Sequence, residues 1–199
     1  AANKFTVQHH SVFNGVIPTH QGLFDVPMLT CIPNITVYSP SDYDELRLCL
    51  RKALYDTPSV AAVRYPRGAQ SKVKMKLDDN SMFCFEGQGS KNLAIGYGRT
   101  GGTVCEAVRN SGLDAEVLKL VKIFPIESTL IDLCMKYDRI IIFEETLQNG
   151  SIGEHLTAAL AAKGWKGDIS INAIHGFVKQ AKTENALKRF SLDKAGIEK

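Results

Sequence analysis

Little in this chain points toward a membrane, a nucleic acid or a metal. No apolar run approaches the length of a membrane-spanning helix, and no charged-then-apolar leader opens the sequence. The expectation is a cytoplasmic protein. Charge of one sign is scarce: 24 basic against 21 acidic residues leave a net charge of +3 over 199 residues. The longest basic run, Lys72 to Lys76, alternates with apolar residues and predicts a strand rather than a phosphate-binding face. The five cysteines, Cys31, Cys49, Cys84, Cys105 and Cys134, never fall in paired ligand spacing. They are expected as buried free thiols. No His, Cys or Asp pair has metal-ligand spacing, and neither repeats nor low-complexity segments occur.

What is present is ordinary globular material, 44% hydrophobic and 23% charged, enough to bury a core. The opening, Ala1-Ala2-Asn3-Lys4 followed by Phe5-Thr6-Val7, is expected to have been cut just ahead of a buried strand. Ser39-Pro40-Ser41-Asp42 predicts a helix start, with a serine cap, proline in the first turn and Asp42 at the positive dipole end. Tyr43, Leu46, Leu50, Ala53 and Leu54 give that helix an apolar face, and Thr57-Pro58 stops it. From Gly68 to about Gly89 the composition turns polar, with Asp78-Asp79-Asn80 as a turn signal, and a linker is placed at 69–87. Beyond it, strands at 93–98, 115–120, 139–143 and 169–174 alternate with helices at 103–109, 126–137 and 152–163, and helices close the chain. The fold class is therefore α/β, a mostly parallel sheet with helices on both faces.

Two segments carry candidate chemistry. Thr19-His20-Gln21-Gly22-Leu23-Phe24-Asp25 places an imidazole beside a glycine, suited to acid/base work near neutral pH with close backbone approach to a ligand. Arg64-Tyr65-Pro66-Arg67-Gly68 ends the apolar run Val60 to Val63 with two guanidinium groups around a rigid corner, and a planar fork of that kind matches phosphate or carboxylate. Taken singly, each segment also fits a structural turn histidine and a surface ion pair.

Their order changes the weight of evidence. With Cys31-Ile32-Pro33-Asn34-Ile35-Thr36-Val37-Tyr38-Ser39-Pro40-Ser41-Asp42 between them, the run resembles the 1-deoxy-D-xylulose-5-phosphate synthase family of the transketolase superfamily. The likeness extends to Phe177-Val178 and to the stretch Thr183 to Ile197. The resemblance implies the back half of a thiamin-binding pyrimidine domain at 1–68 and a transketolase C-terminal domain at 88–199. It assigns His20 a catalytic role, moving a proton or orienting the acceptor aldehyde, and assigns Arg67 the acceptor phosphate; Arg64 is left a structural ion pair. It implies thiamine diphosphate and Mg2+ in the complete enzyme, with the residues that hold them outside this chain and no cofactor bound by the chain alone. The implied substrates are a 2-oxo acid and a sugar phosphate, and the implied partners are an N-terminal portion or separate subunit and a second copy in a homodimer. Val16 stands where the family has aspartate, and Gln8-His9-His10-Ser11 replaces its Asp-Arg-Ala-Gly. Those departures bear on substrate choice, and keep open a paralogue with another sugar phosphate or a noncatalytic module for oligomerisation.

The remaining candidates read as structural. Gly96-Tyr97-Gly98-Arg99-Thr100-Gly101-Gly102 lacks the glycine spacing and the acidic residue of a dinucleotide fingerprint. Glu144-Glu145 are neighbours on an extended segment and so point opposite ways, which argues against a cooperating acid/base pair. His155 and His175 are expected in packing or at the surface.

Overall fold

A computed structural model describes residues 22–66, 69–78, 80–179 and 181–199. Two sheets organise them. The smaller holds β1 (Thr36–Tyr38), β2 (Ala61–Val63) and β7 (Lys122–Phe124) in the order β2-β1-β7, with β1 parallel to β2 and antiparallel to β7. The larger holds β3 (Leu77–Asp78), β4 (Phe83–Glu86), β5 (Asn92–Tyr97), β6 (Glu116–Leu120), β8 (Arg139–Leu147) and β9 (Asp168–Ile174), in the order β3-β4-β6-β5-β8-β9. Pairings β6-β5, β5-β8 and β8-β9 are parallel, while the β3-β4 hairpin runs antiparallel along the β6 edge.

Period-2 alternation sorts the central strands. Leu93, Ile95, Ile140 and Ile142 face α4 (Ser128–Cys134) and α5 (Ile152–Ala162), meeting Leu130, Cys134, Leu156 and Leu160. Ala94, Val117 and Phe143 face α3 (Gly98–Ser111) and α7 (Lys194–Ile197), meeting Val104, Cys105 and Ile197. Helices thus cover both faces, as the α/β pattern predicts. α1 (Asp25–Thr30) and α2 (Tyr43–Arg51), the latter continuing through a π-helical turn at Lys52–Asp56, accompany the smaller sheet, and α6 (Thr183–Arg189) packs through Ala186 on Leu23 and Ile174.

Several local expectations need correction. The cap of α2 is Asp42, whose carboxylate accepts from the Asp44 and Glu45 amides, so the helix begins at Tyr43. Tyr43 and Leu54 are exposed, and Cys49 takes the buried place on that helix. Lys72 to Lys76 forms no strand: Ser71 Oγ accepts from the Val73 amide and donates to its carbonyl, and the Lys74 carbonyl accepts from the Arg109 guanidinium instead of a ladder partner. The polar stretch 69–87 contains the β3-β4 hairpin, where Met82 and Cys84 are fully packed. α3 begins at Gly98 rather than Thr103. Four cysteines are buried and free, with burial pushing Cys84 and Cys134 up to about 12 and Cys105 up to about 11; Cys31 is exposed.

Candidate functional site

Ligands in open α/β sheets bind outside the carboxyl ends of parallel strands, where the strand order reverses. Here that place is the end of β5 and β8, since β5 has β6 on one side and β8 on the other. The ends of β1 and β2 arrive at the same spot. The Ser39 carbonyl, just past β1, accepts from the Gly98 amide at 3.1 Å, and Arg64, just past β2, reaches across to the tip of β8.

Arg64 fills this crevice. Its Nε donates to Asp25 Oδ2 at 2.7 Å, its terminal nitrogen donates to the Glu145 carbonyl at 2.9 Å, and its guanidinium carbon lies 5.8 Å from the Tyr97 ring centre. Burial pulls the guanidinium's pKa down, but Asp25 foremost, with Tyr97 and Glu145, more than offsets this and holds it above its ordinary value. The structural ion pair expected of Arg64 is present, and its partner is the aspartate that ends the first motif. β8 grips that motif further: Thr146 Oγ1 donates to the Leu23 carbonyl at 2.8 Å and the Leu147 amide to the same oxygen at 3.0 Å. His20 and Arg67, the residues assigned to chemistry, lie outside the described residues.

Glu144 and Glu145 point apart, as adjacent strand residues must. Glu144 is fully buried and accepts from the Tyr97 hydroxyl at 2.8 Å and from the Ile152 and Gly153 amides at 3.0 and 2.8 Å, at the start of α5. Burial raises its carboxyl pKa, against the lowering pull of those donors, and raises the Tyr97 hydroxyl well above its usual value. Glu145 turns to the α3 side, with Oε2 at 3.8 Å from Arg99 Nε and Oε1 buried without a hydrogen-bond partner. Ser39 Oγ and Thr100 Oγ1 are likewise buried and unpartnered.

The glycines beside this crevice act sterically. A Cβ on Gly96 would stand 2.9 Å from the Gly101 Cα, and one on Gly101 would stand 2.7 Å from Lys119 Cγ, so their absence lets α3 lie against β5 and β6. His155 packs its ring 5.3 Å from Phe124, and His175 is exposed.

No group of three or more His, Cys, Asp or Glu among the described residues could hold a metal ion. Four buried carboxylates among the described residues are each taken up by a partner of this chain and so do not fit a thiamine diphosphate site. Asp25 answers Arg64, Glu45 answers Lys119 and Ser41, Glu116 answers Tyr137 and the 88–89 amides, and Glu144 answers α5. A small cavity lies at the Tyr65-Pro66 corner, lined also by Pro40, Tyr43, Leu46 and Gln70. Sequence reasoning missed Asp25 as Arg64's partner, because 39 residues separate the two and no spacing rule connects them.

Two family models match the chain: "Transketolase, pyrimidine binding domain" over residues 1–72 and "Transketolase, C-terminal domain" over residues 85–197. Proteins named 1-deoxy-D-xylulose-5-phosphate synthase are similar to it. That of Neisseria meningitidis is 34% identical over 80% of this chain and 25% of its own length, and that of Pseudomonas paraeruginosa 33% identical over 92% and 30%. The chain therefore spans between a quarter and a third of the curated relatives it matches. Among solved structures, a split-gene transketolase described as an inactive beta4 tetramer superposes with a TM-score of 0.81 at 16% identity, covering 98% of this chain and 64% of that one. Transketolase from Campylobacter jejuni superposes at 0.73 and 17% identity, covering 98% of this chain and 30% of its own.

Proposed function

The chain belongs to the transketolase family, and from that premise we propose that it is the pyrimidine-domain and C-terminal portion of a thiamine diphosphate-dependent enzyme. The whole assembly joins pyruvate to D-glyceraldehyde 3-phosphate with loss of CO2, giving 1-deoxy-D-xylulose 5-phosphate. The observation that carries this reading is the likeness to synthases of that name across most of the chain, 28–34% identical, together with the motif pair that holds His20 and Arg67. Thiamine diphosphate and Mg2+ belong to the polypeptide that supplies the diphosphate-binding domain, where the cofactor acts as an electron sink. On this chain, Arg67 binds the acceptor phosphate as a planar fork, and His20 moves or holds a proton at the acceptor's carbonyl oxygen.

The test pairs this chain with a polypeptide carrying the diphosphate-binding portion of a relative and follows CO2 release from pyruvate with and without the acceptor. Arg67→Ala removes a charge-assisted contact of about 1.5–3 kcal/mol, so the acceptor KM rises by roughly 10- to 100-fold. His20→Ala lowers acceptor-dependent turnover by about 100-fold or more, within the range of general acid/base contributions. If both variants match wild type in turnover and acceptor KM, the roles are misassigned. A second reading, a noncatalytic partner-binding module, is favoured by Val16, whose apolar side chain cannot accept a substrate hydroxyl. It prevails if the paired assembly forms but releases no CO2 with any aldehyde phosphate.

A further inference from the structure

We propose that Arg64 and Asp25 are positioning residues: their buried ion pair, anchored on the tip of β8, fixes residues 22–30 and 61–66, the segments next in sequence to His20 and Arg67, as one unit. The inference rests on the functional reading above and adds to it a device that joins the segments leading out of the two motifs. Asp25 follows His20 by five residues and Arg64 precedes Arg67 by three, so the pair joins segments that are near neighbours of the two groups in sequence. Both partners are buried, at 7% and 9% side-chain exposure.

A buried ion pair adds little net stability over an apolar pair of the same volume, because desolvation consumes most of the attraction. What it supplies is direction. Arg64 spends one nitrogen on Asp25 and another on the Glu145 carbonyl, two bonds from a rigid plane that a lysine, a point charge on a flexible stem, cannot reproduce. The third point of attachment is the Leu23 carbonyl, held by Thr146 and Leu147 from the same strand end. β8 thereby touches both motif segments within three consecutive residues, 145 to 147. The crevice at the ends of β5 and β8 is given over to this clamp, which ties residues 22–30 and 61–66 to the larger sheet.

The test uses Arg64→Lys and Asp25→Asn, with Lys74→Met, an exposed ion-pair residue, as control. In the chain alone, amide exchange is measured on folded protein. Exchange rises roughly tenfold in both 22–30 and 61–66 in either variant, while β6 at 116–120 stays as in wild type. In the paired assembly, a displaced acceptor site raises the acceptor KM by about tenfold or more, while decarboxylation of pyruvate without acceptor stays within about twofold. Faster exchange confined to the mutated segment overturns the clamp, as does an active assembly whose acceptor KM does not move. A wild-type assembly that turns over nothing defeats the functional reading instead, and the exchange measurement on the chain alone still decides whether Arg64 couples the two segments.

Discussion

At the scale of single residues, two buried glutamates titrate in opposite senses. Burial pushes the Glu116 carboxyl up, but the Tyr137 hydroxyl and the amides of Gly89, Gln88 and Ser90 outweigh it and leave the group below its usual range. A carboxyl depressed in the folded state contributes stability above its unfolded pKa and loses it as pH falls through the folded value. Glu144 is raised by burial, so its contribution is full below the unfolded pKa and lost as pH climbs through the folded one. Glu116→Gln, losing charge-assisted bonds of about 1–3 kcal/mol, lowers Tm near neutral pH by roughly 3–8 °C and flattens the acid limb of the stability curve. Thermal unfolding from pH 3 to 7 checks this, and an acid limb as steep as wild type refutes it. Neither residue's partners were readable from spacing: Glu116 opens a strand, where a glutamate reads as solvated, and meets Tyr137 only through the fold. An ion pair was expected of Arg64, but its segment taken singly fits one at the surface, whereas the pair with Asp25 is buried.

At the scale of elements, apolar runs made β5 and β8 legible, while β9 alternates Ile169 and Ile171 with polar residues and is legible by its period of two. Glycines and short strands misled. Gly98, Gly101 and Gly102 suggested a loop ahead of a helix at Thr103, yet they form the first turns of α3, where a side chain at Gly102 would meet Ser71 Oγ at 2.3 Å. The β3-β4 hairpin hid in a polar stretch because its strands are only two and four residues long and Met82 takes φ of +54°. The close approach of α3 to β5 makes a direct prediction. Gly96→Ala sets a methyl against backbone that cannot yield, an overpacking cost of about 1–3 kcal/mol and a fall in Tm of roughly 3–10 °C. Gly112→Ala, with φ of +68° but nothing within 4 Å, pays only left-handed strain of about 1–2 kcal/mol, partly offset by a stiffer unfolded chain. Melting curves of the two should therefore rank Gly96→Ala as the more damaging; the reverse order means that the helix can slide to admit the methyl.

At the scale of the whole molecule, what the sequence did not disclose is how the two sheets are joined. β7 follows β6 after a single residue, too short a run to announce that it leaves one sheet for the other, yet it pairs with β1. A buried cation completes the joint: Lys119 on β6, 1% exposed, donates to Ser41 Oγ at 3.0 Å and to Glu45 Oε1, while the Ser41 amide and hydroxyl donate to Glu45 Oε2 at 2.7 and 2.8 Å. Strand exchange, this ion pair and the Arg64 clamp each tie one sheet to the other. Lys119→Met strands Glu45 as a buried uncompensated charge and costs about 3–5 kcal/mol, whereas Lys119→Met with Glu45→Met removes both charges and recovers most of that loss. The only tryptophan, Trp165, packs against the larger sheet's core and donates to the Tyr137 carbonyl, so its fluorescence reports that sheet while far-ultraviolet dichroism reports all helices and strands. In urea the two signals coincide in wild type and shift together to lower midpoint in Lys119→Met. Signals that separate in the single variant and stay separate in the double one would show two sheets that unfold independently, with the ion pair stabilising one of them alone.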